Sequence, residues 1–336
     1  MDRVACSGKA ARADLFREAG AKARLNPVIV EKDFWVCWLL KRLFSTQEFD
    51  GWLTFKGGTS LSKCFDLIQR FSEDIDIAVD FERLGFTGDK DPRQERLSRT
   101  KRTSLLEAMM LECRRYISGP FSTALTERVR EVLGPGGWSL TLGADDPNTV
   151  EFVYPSALET GLDYIKPKVV LELGTHAEPI PHGSYPVRPF AAEHFPQAFS
   201  EAAFSVKTVV ARRTFWEKAT ILHAEHHRPA DKPMPPRYSR HYADVAMMSR
   251  KSVAKEAFAD LDLLRAVALH KDRFYHCGWA RIFDAKPGDF RLLPPEGRLQ
   301  ELQRDYRGME AMFFGEPPTM ERILKDLADL EKRIND

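Results

Sequence analysis

The stretch from residue 52 to residue 79 constrains this 336-residue chain more than any other. Residues 52–56 (WLTFK) read as a short strand and Gly57-Gly58 as a tight turn. Residues 59–69 follow as a helix with Thr59 or Ser60 near its N-cap, and residues 75–79 as a second strand. A strand, a glycine turn, a helix and a strand in quick succession bring one backbone corner close to two β-type edges. That is the layout of a phosphate-handling unit in a mixed α and β fold.

The chemistry carried by this unit follows from its residue types. Two glycines at a strand end let the backbone approach a triphosphate closely, and the N–H groups that open the next helix suit its oxygens. Gly57, Gly58, Thr59 and Ser60 therefore form the expected cradle. Lys56 and Lys63 flank it. Lys63, one turn into the helix, is the favoured γ-phosphate ligand of the two, against the plainer reading of both as exposed lysines.

Asp74 and Asp76 are two residues apart on a strand, so they share a face and can hold divalent cations together. Mg²⁺, or Mn²⁺ in its place, is the expected ion, with an NTP as substrate. Such a site usually takes a third carboxylate from a neighbouring strand. Glu172 stands alone in the apolar run KVVLELG, where a charge is costly unless paired or ligating, and is the expected third ligand. Glu151 ranks behind it, because its neighbours alternate as in a half-exposed strand. A lone Asp-x-Asp is most often a solvated turn; the four features in this order point to function.

Around this unit, residues 14–44 show helical spacing, with 28–44 apolar enough to be buried despite Glu31, Lys32 and Asp33. Residues 92–117 read as an arginine-rich helix, and 138–142, 149–154 and 169–173 as strands, so a mixed sheet of at least five strands is implied. The proline-dense segment 174–196 is expected to carry the chain between domains. The boundary falls near residue 200, giving an α+β domain over 1–200 and a mostly helical domain over 201–336. Residues 206–227, 238–248, 253–271 and 310–334 are its expected helices.

With 50 Lys+Arg against 49 Asp+Glu, the net charge of +1 supplies no global field for nucleic acid or an anionic membrane. Any nucleic-acid contact must be local. Five scattered cysteines without a CxxC pair suit a reducing cytoplasm, and no apolar run approaches the roughly 20 residues of a membrane span. The opening residues lack a signal peptide's apolar core, so a cytoplasmic protein is expected.

Two further patterns have a plain and a sharp reading. His223, His226 and His227 have metal-site spacing on a helix, but no acid completes a zinc motif, and capping of the helix end before Pro229 is the better account. Arg93, Arg96, Arg99, Lys101 and Arg102, with Arg114 and Arg115 further on, form either a solvated face or an RNA phosphate contact. Arg212, Arg213, Arg237 and Arg240 are the alternative docking group.

The motifs together resemble those of the AbiEii/AbiGii-type nucleotidyltransferase toxins, a family of the DNA polymerase β superfamily. The resemblance runs through Val30-Glu31-Lys32-Asp33-Phe34-Trp35-Val36, through residues 55–63 and 70–76, and through residues 168–172. It implies a polymerase β-like core, NMP transfer from an NTP to an acceptor hydroxyl at the tRNA 3′ end, and a cognate antitoxin partner. It adds Arg70 and Ser72 to the nucleotide contacts. Phe215-Trp216-Glu217-Lys218 is similar to the family's Glu-Lys helix, and Arg240-His241-Tyr242-Ala243-Asp244 to its Arg-Asp-x-x-Asp segment. Lys218 is thereby implied as a triphosphate contact, with Asp244 assisting the acceptor or orienting the lysine. His241 stands where that segment has its first aspartate, so only Asp244 carries over. Transfer to a protein or small molecule, and a non-catalytic nucleotide-binding regulator, are the alternatives that the sequence leaves open.

Overall fold

The computed structural model describes residues 1–72, 74–159 and 166–336. Glu73, within the aspartate motif, lies outside the described residues. The chain divides into two compact units, Met1–Cys64 with Phe71–Val209, and Phe65–Arg70 with Val210–Asp336. The six residues just before the aspartate motif, Phe65–Arg70, thus belong to the second unit rather than to the first.

Seven strands make one mixed sheet in the first unit: β1 (Leu53–Lys56), β2 (Asp74–Val79), β3 (Ser139–Leu142), β4 (Thr149–Val153), β5 (Lys168–Gly174), β6 (His182–Val187) and β7 (Phe204–Val209). Their order is β3-β4-β5-β2-β1-β7-β6. β1 and β2 are antiparallel, whereas β2 runs parallel to β5 and β1 parallel to β7. The first unit also holds helices α1 (Asp2–Ala5), α2 (Lys9–Ala23), α3 (Pro27–Ser45), α4 (Gly57–Lys63), α5 (Arg99–Tyr116), α6 (Ser122–Leu133) and α7 (Phe190–His194). This is an α+β architecture.

Several sequence expectations shift here, each for a physical reason. The proline-dense segment is not a linker: it contains β6, an edge strand, where Pro186 needs no ladder partner on its open side. Residues 206–209, expected to open a helix, belong instead to β7, because that strand pairs with both β6 and β1. The helix after the glycines ends at Lys63 rather than at residue 69, and Arg70 makes an isolated antiparallel bridge with Phe313 in the second unit. α5 begins at Arg99, where the Ser98 hydroxyl accepts the Lys101 N–H.

The core of the first unit is built on α3. Trp35 stacks on Tyr154 at 5.5 Å and Trp38 on Phe152 at 5.8 Å, which fixes the helix across the sheet face. The charges at the start of α3 are buried as well, and each has work there. Glu31 accepts the Ala157 and Leu158 N–H groups and the Ser156 hydroxyl, which pins the chain leaving β4.

In the second unit, α8 (Ala211–His226), α9 (Ser239–Ser249), α10 (Ser252–Phe258), α11 (Leu261–Phe274), α12 (Leu299–Arg307) and α13 (Met320–Asn335) pack around Trp216, Leu222, Met248 and Leu327. The expected helix over 253–271 is split in two at Asp260, whose carboxylate caps α11 through the Leu263 N–H. The C-terminal helix begins at Met320 rather than at residue 310. No helix among the described residues is long and apolar enough to cross a membrane.

Candidate active site

Sheet register lays out the carboxylates. Asp76 of β2 is directly opposite Glu172 of β5 and Lys56 of β1, and Glu172 is opposite Thr149 of β4. Thr149, Glu172, Asp76 and Lys56 thus form one row across four strands, on the face that Asp74 shares by its spacing of two. Asp74 lies opposite Val170 in the next row, with Glu151 beyond it. Glu151 is one strand further from the aspartates and accepts a hydrogen bond from Lys168. The register therefore favours Glu172 over Glu151.

Three carboxylates on one face of adjacent strands are an all-oxygen donor set of the kind hard divalent cations take. Among the described residues, no three His, Cys, Asp or Glu side chains already converge on one point. What the strand register supplies is a shared face for these acids. Asp76 instead leans over the turn: a Cβ built on Gly57 would meet its Oδ2 at 1.8 Å, and Gly57 has φ +79°. Both facts require glycine at 57. Asp76 Oδ1 also lies 3.7 Å from Lys56 Nζ.

The glycine turn is itself the first turn of α4. Thr59 and Ser60, expected to face the nucleotide, turn their hydroxyls inward. Thr59 donates to the Ser72 and Asp74 carbonyls and Ser60 to the Gly57 carbonyl at 2.8 Å. What they can offer a ligand is main chain. Lys63, favoured over Lys56 on sequence grounds, has a partner inside the fold. Lys63 is buried, its Nζ 2.6 Å from Asp33 Oδ1, and Asp33 raises its ammonium above the usual lysine range although burial alone would lower it. Lys56 is the partly exposed lysine beside the acids.

The second unit contains a compact ionic group. Arg70 grips Asp244 with two parallel bonds, Nε to Oδ1 at 2.7 Å and Nη2 to Oδ2 at 2.8 Å, and Lys218 Nζ reaches Oδ2 at 2.9 Å. Burial would raise the Asp244 carboxyl, but Arg70 and Lys218 overturn that and hold it well below the usual carboxylate range. Burial lowers the Lys218 ammonium, and Asp244 offsets this in part. His241, at the position of the missing aspartate, has Nδ1 3.5 Å from Lys218 Nζ, and burial keeps its imidazole neutral. Arg70, expected as a nucleotide contact, and Asp244 are thus bound into one network. The contacts of Asp33 and His241 escaped sequence reasoning, although both residues stood in the motifs.

The histidines do not cap their own helix end before Pro229 but meet more distant main chain. His223 faces the Arg281 carbonyl through Nε2 and accepts the Arg291 N–H at Nδ1, while His226 meets the Leu293 carbonyl. These imidazoles hold a loop, and no metal-binding cluster includes them among the described residues. Arg93 pairs with Asp91 and Glu82, and Arg102 donates to the Pro92 and Gln94 carbonyls, so both brace the chain before α5.

A family model described as "Nucleotidyl transferase AbiEii toxin, Type IV TA system" matches residues 38–331. The chain belongs to the AbiEii family. It is accordingly a nucleotidyltransferase of a toxin family from toxin-antitoxin systems, which implies an NTP donor and an antitoxin partner. Among solved structures it is similar to MenT4, a nucleotidyltransferase toxin from Mycobacterium tuberculosis H37Rv, at 17% identity and TM-score 0.48. That match covers 96% of this chain and 94% of that one. No curated protein matches. In this AbiEii chain the row of Glu172, Asp76 and Lys56 beside Gly57 joins the aspartate motif to the glycine turn.

Proposed function

We propose that this AbiEii chain moves an NMP from an NTP to a hydroxyl at the 3′ end of an RNA, tRNA in the first instance, with Mg²⁺ held by Asp74, Asp76 and Glu172. The observation that carries the reading is the strand register, which puts Asp76 opposite Glu172 and, through Gly57, directly against the glycine turn. Mg²⁺ bound there would supply charge neutralisation for a triphosphate and acidify an acceptor hydroxyl.

The chain's own residues do the rest. Lys56 adds a positive charge next to Asp76, and the main chain of residues 57–60 approaches phosphate oxygens where side chains would block it. In the second unit Asp244, itself gripped by Arg70, holds the Lys218 ammonium in place. The neutral His241 leaves Lys218 facing one carboxylate rather than two. The reaction belongs in the cytoplasm, where NTPs and RNA are both at hand, and its outcome is growth arrest relieved by a cognate antitoxin.

The test is to incubate purified protein with each labelled NTP, Mg²⁺ and either total RNA or cell protein, beside an Asp76→Asn variant. Label entering RNA, and lost in the variant, supports the reading. Label entering protein instead assigns a different acceptor, and no label with any NTP removes the proposal.

A further inference from the structure

Lys63 was the most attractive phosphate ligand on sequence grounds, and the fold gives it another partner. Its ammonium lies inside the first unit, 2.6 Å from Asp33 Oδ1 and 3.9 Å from the centre of the Phe190 ring. The other Asp33 oxygen accepts the Phe190 N–H at 2.7 Å, which ties the first residue of α7 to the same carboxylate. The Lys63 and Asp33 side chains are only 6% and 3% exposed. The ammonium of Lys63 is thus held in the interior of the first unit.

The place of the pair in α4 gives it a consequence. Lys63 is the last residue of that seven-residue helix, and Gly57, pressed against Asp76, is the first. About 10 Å separates the two ends. At the glycine end Thr59 straps the helix to the chain entering β2 through the Ser72 and Asp74 carbonyls. At the far end the tie to α3 is Asp33. Tight contact between Gly57 and Asp76 leaves no slack, so an axial shift of α4 must move the Asp76 carboxylate or the turn.

We propose that Asp33 and Lys63 form a buried positioning pair that sets where α4 sits, and through α4 the relation of the glycine turn to Asp76. Lys63 is a positioning residue and touches no substrate. This rests on the nucleotidyltransferase reading of the glycine turn and aspartates, and deepens it.

A buried pair has a distinctive mutational signature, because removing one partner strands the other charge, whereas removing both does not. The experiment uses the full chain as four proteins: parent, Asp33→Asn, Lys63→Met and the double variant. Melting temperature is measured for each, and kcat and KM for the NTP at a temperature where each is folded. Each single change should lower Tm and cut kcat/KM per folded molecule about tenfold or more, because the stranded charge displaces α4. The double variant should recover most of the Tm and return kcat/KM to within about threefold of the parent.

A double variant as impaired in kcat/KM as Lys63→Met would show that Lys63 contacts the nucleotide, and would overturn the proposal. Single variants that lose Tm while keeping kcat/KM per folded molecule would overturn it too, by making the pair structural only. If a single variant does not fold, the double variant, with no buried charge left, decides by its kcat/KM alone. If the parent transfers no nucleotide, the function proposed above fails, and the Tm cycle still judges the pair: additive losses sink it.

Discussion

Single residues carry the sharpest expectations. Gly57→Ala forces a methyl onto Asp76 Oδ2 at a backbone conformation that L-residues rarely adopt. Nucleotide transfer should fall by about a hundredfold or more while the protein stays folded, and a steady-state assay with a melting curve checks both halves. Glu172→Gln keeps the size of the side chain and removes its charge, so it should cost orders of magnitude in rate if Glu172 completes the metal set. Glu151→Gln, one strand further out and already engaged with Lys168, should leave the rate within about threefold. The opposite ranking would move the third ligand to β4. Both glutamates were visible in the sequence as acids on strands and their neighbours already ranked them, but only the register placed Glu172 opposite Asp76, since strand order is a long-range property that local alternation does not encode.

At the scale of elements, the loop clamp at the end of α8 predicts a pH response. Burial pushes the His223 imidazole from 6.5 down to about 4. Below pH 6.5 the unfolded chain takes up a proton that the folded chain refuses, so stability is level above 6.5 and falls as pH drops toward 4. Tm measured across that window should decline, and His223→Gln should flatten its share of the slope. The arginines leading into α5 supply a second test. Arg93→Gln or Arg102→Gln should lower Tm by a few degrees, since each braces the chain before the helix. The exposed Arg99 and Lys101, changed together to Gln, should leave Tm alone. Comparison of RNA affinity across salt concentrations then shows which residues meet phosphate, as each lost contact reduces the salt slope by about one. Elements with strong local signals, such as α3 with its apolar run, matched their sequence reading closely. β6 and β7 did not, because an edge strand that contains proline has no interior pattern, and a half-exposed strand leading into a helix blends into its periodicity.

For the whole molecule, the expected observable is linkage between ligand and stability. An NTP with Mg²⁺ at about 100 times its dissociation constant should stabilise the folded chain by about 2.7 kcal/mol, seen as a rise in Tm. The shift should be lost in Asp76→Ala, and an unchanged shift in that variant would place the nucleotide away from β2. With a net charge of +1, any RNA affinity must come from local patches, so it should weaken steeply with salt without being abolished by any single surface change. The sequence by itself determined the chemical inventory: a glycine pair at a strand end, two aspartates at a spacing of two, one acid stranded in an apolar run, and the two helical motifs around Lys218 and Asp244. Those are short-range patterns, and backbone geometry converts them directly into shared faces and turns. Tertiary structure alone decided which charges meet. Lys63 turned from phosphate ligand into the partner of Asp33, thirty positions away, and Arg70 became the clamp on Asp244, 174 positions away. A buried charge takes whatever counter-charge the packing delivers to it, and that delivery depends on the path of the whole chain rather than on any local period.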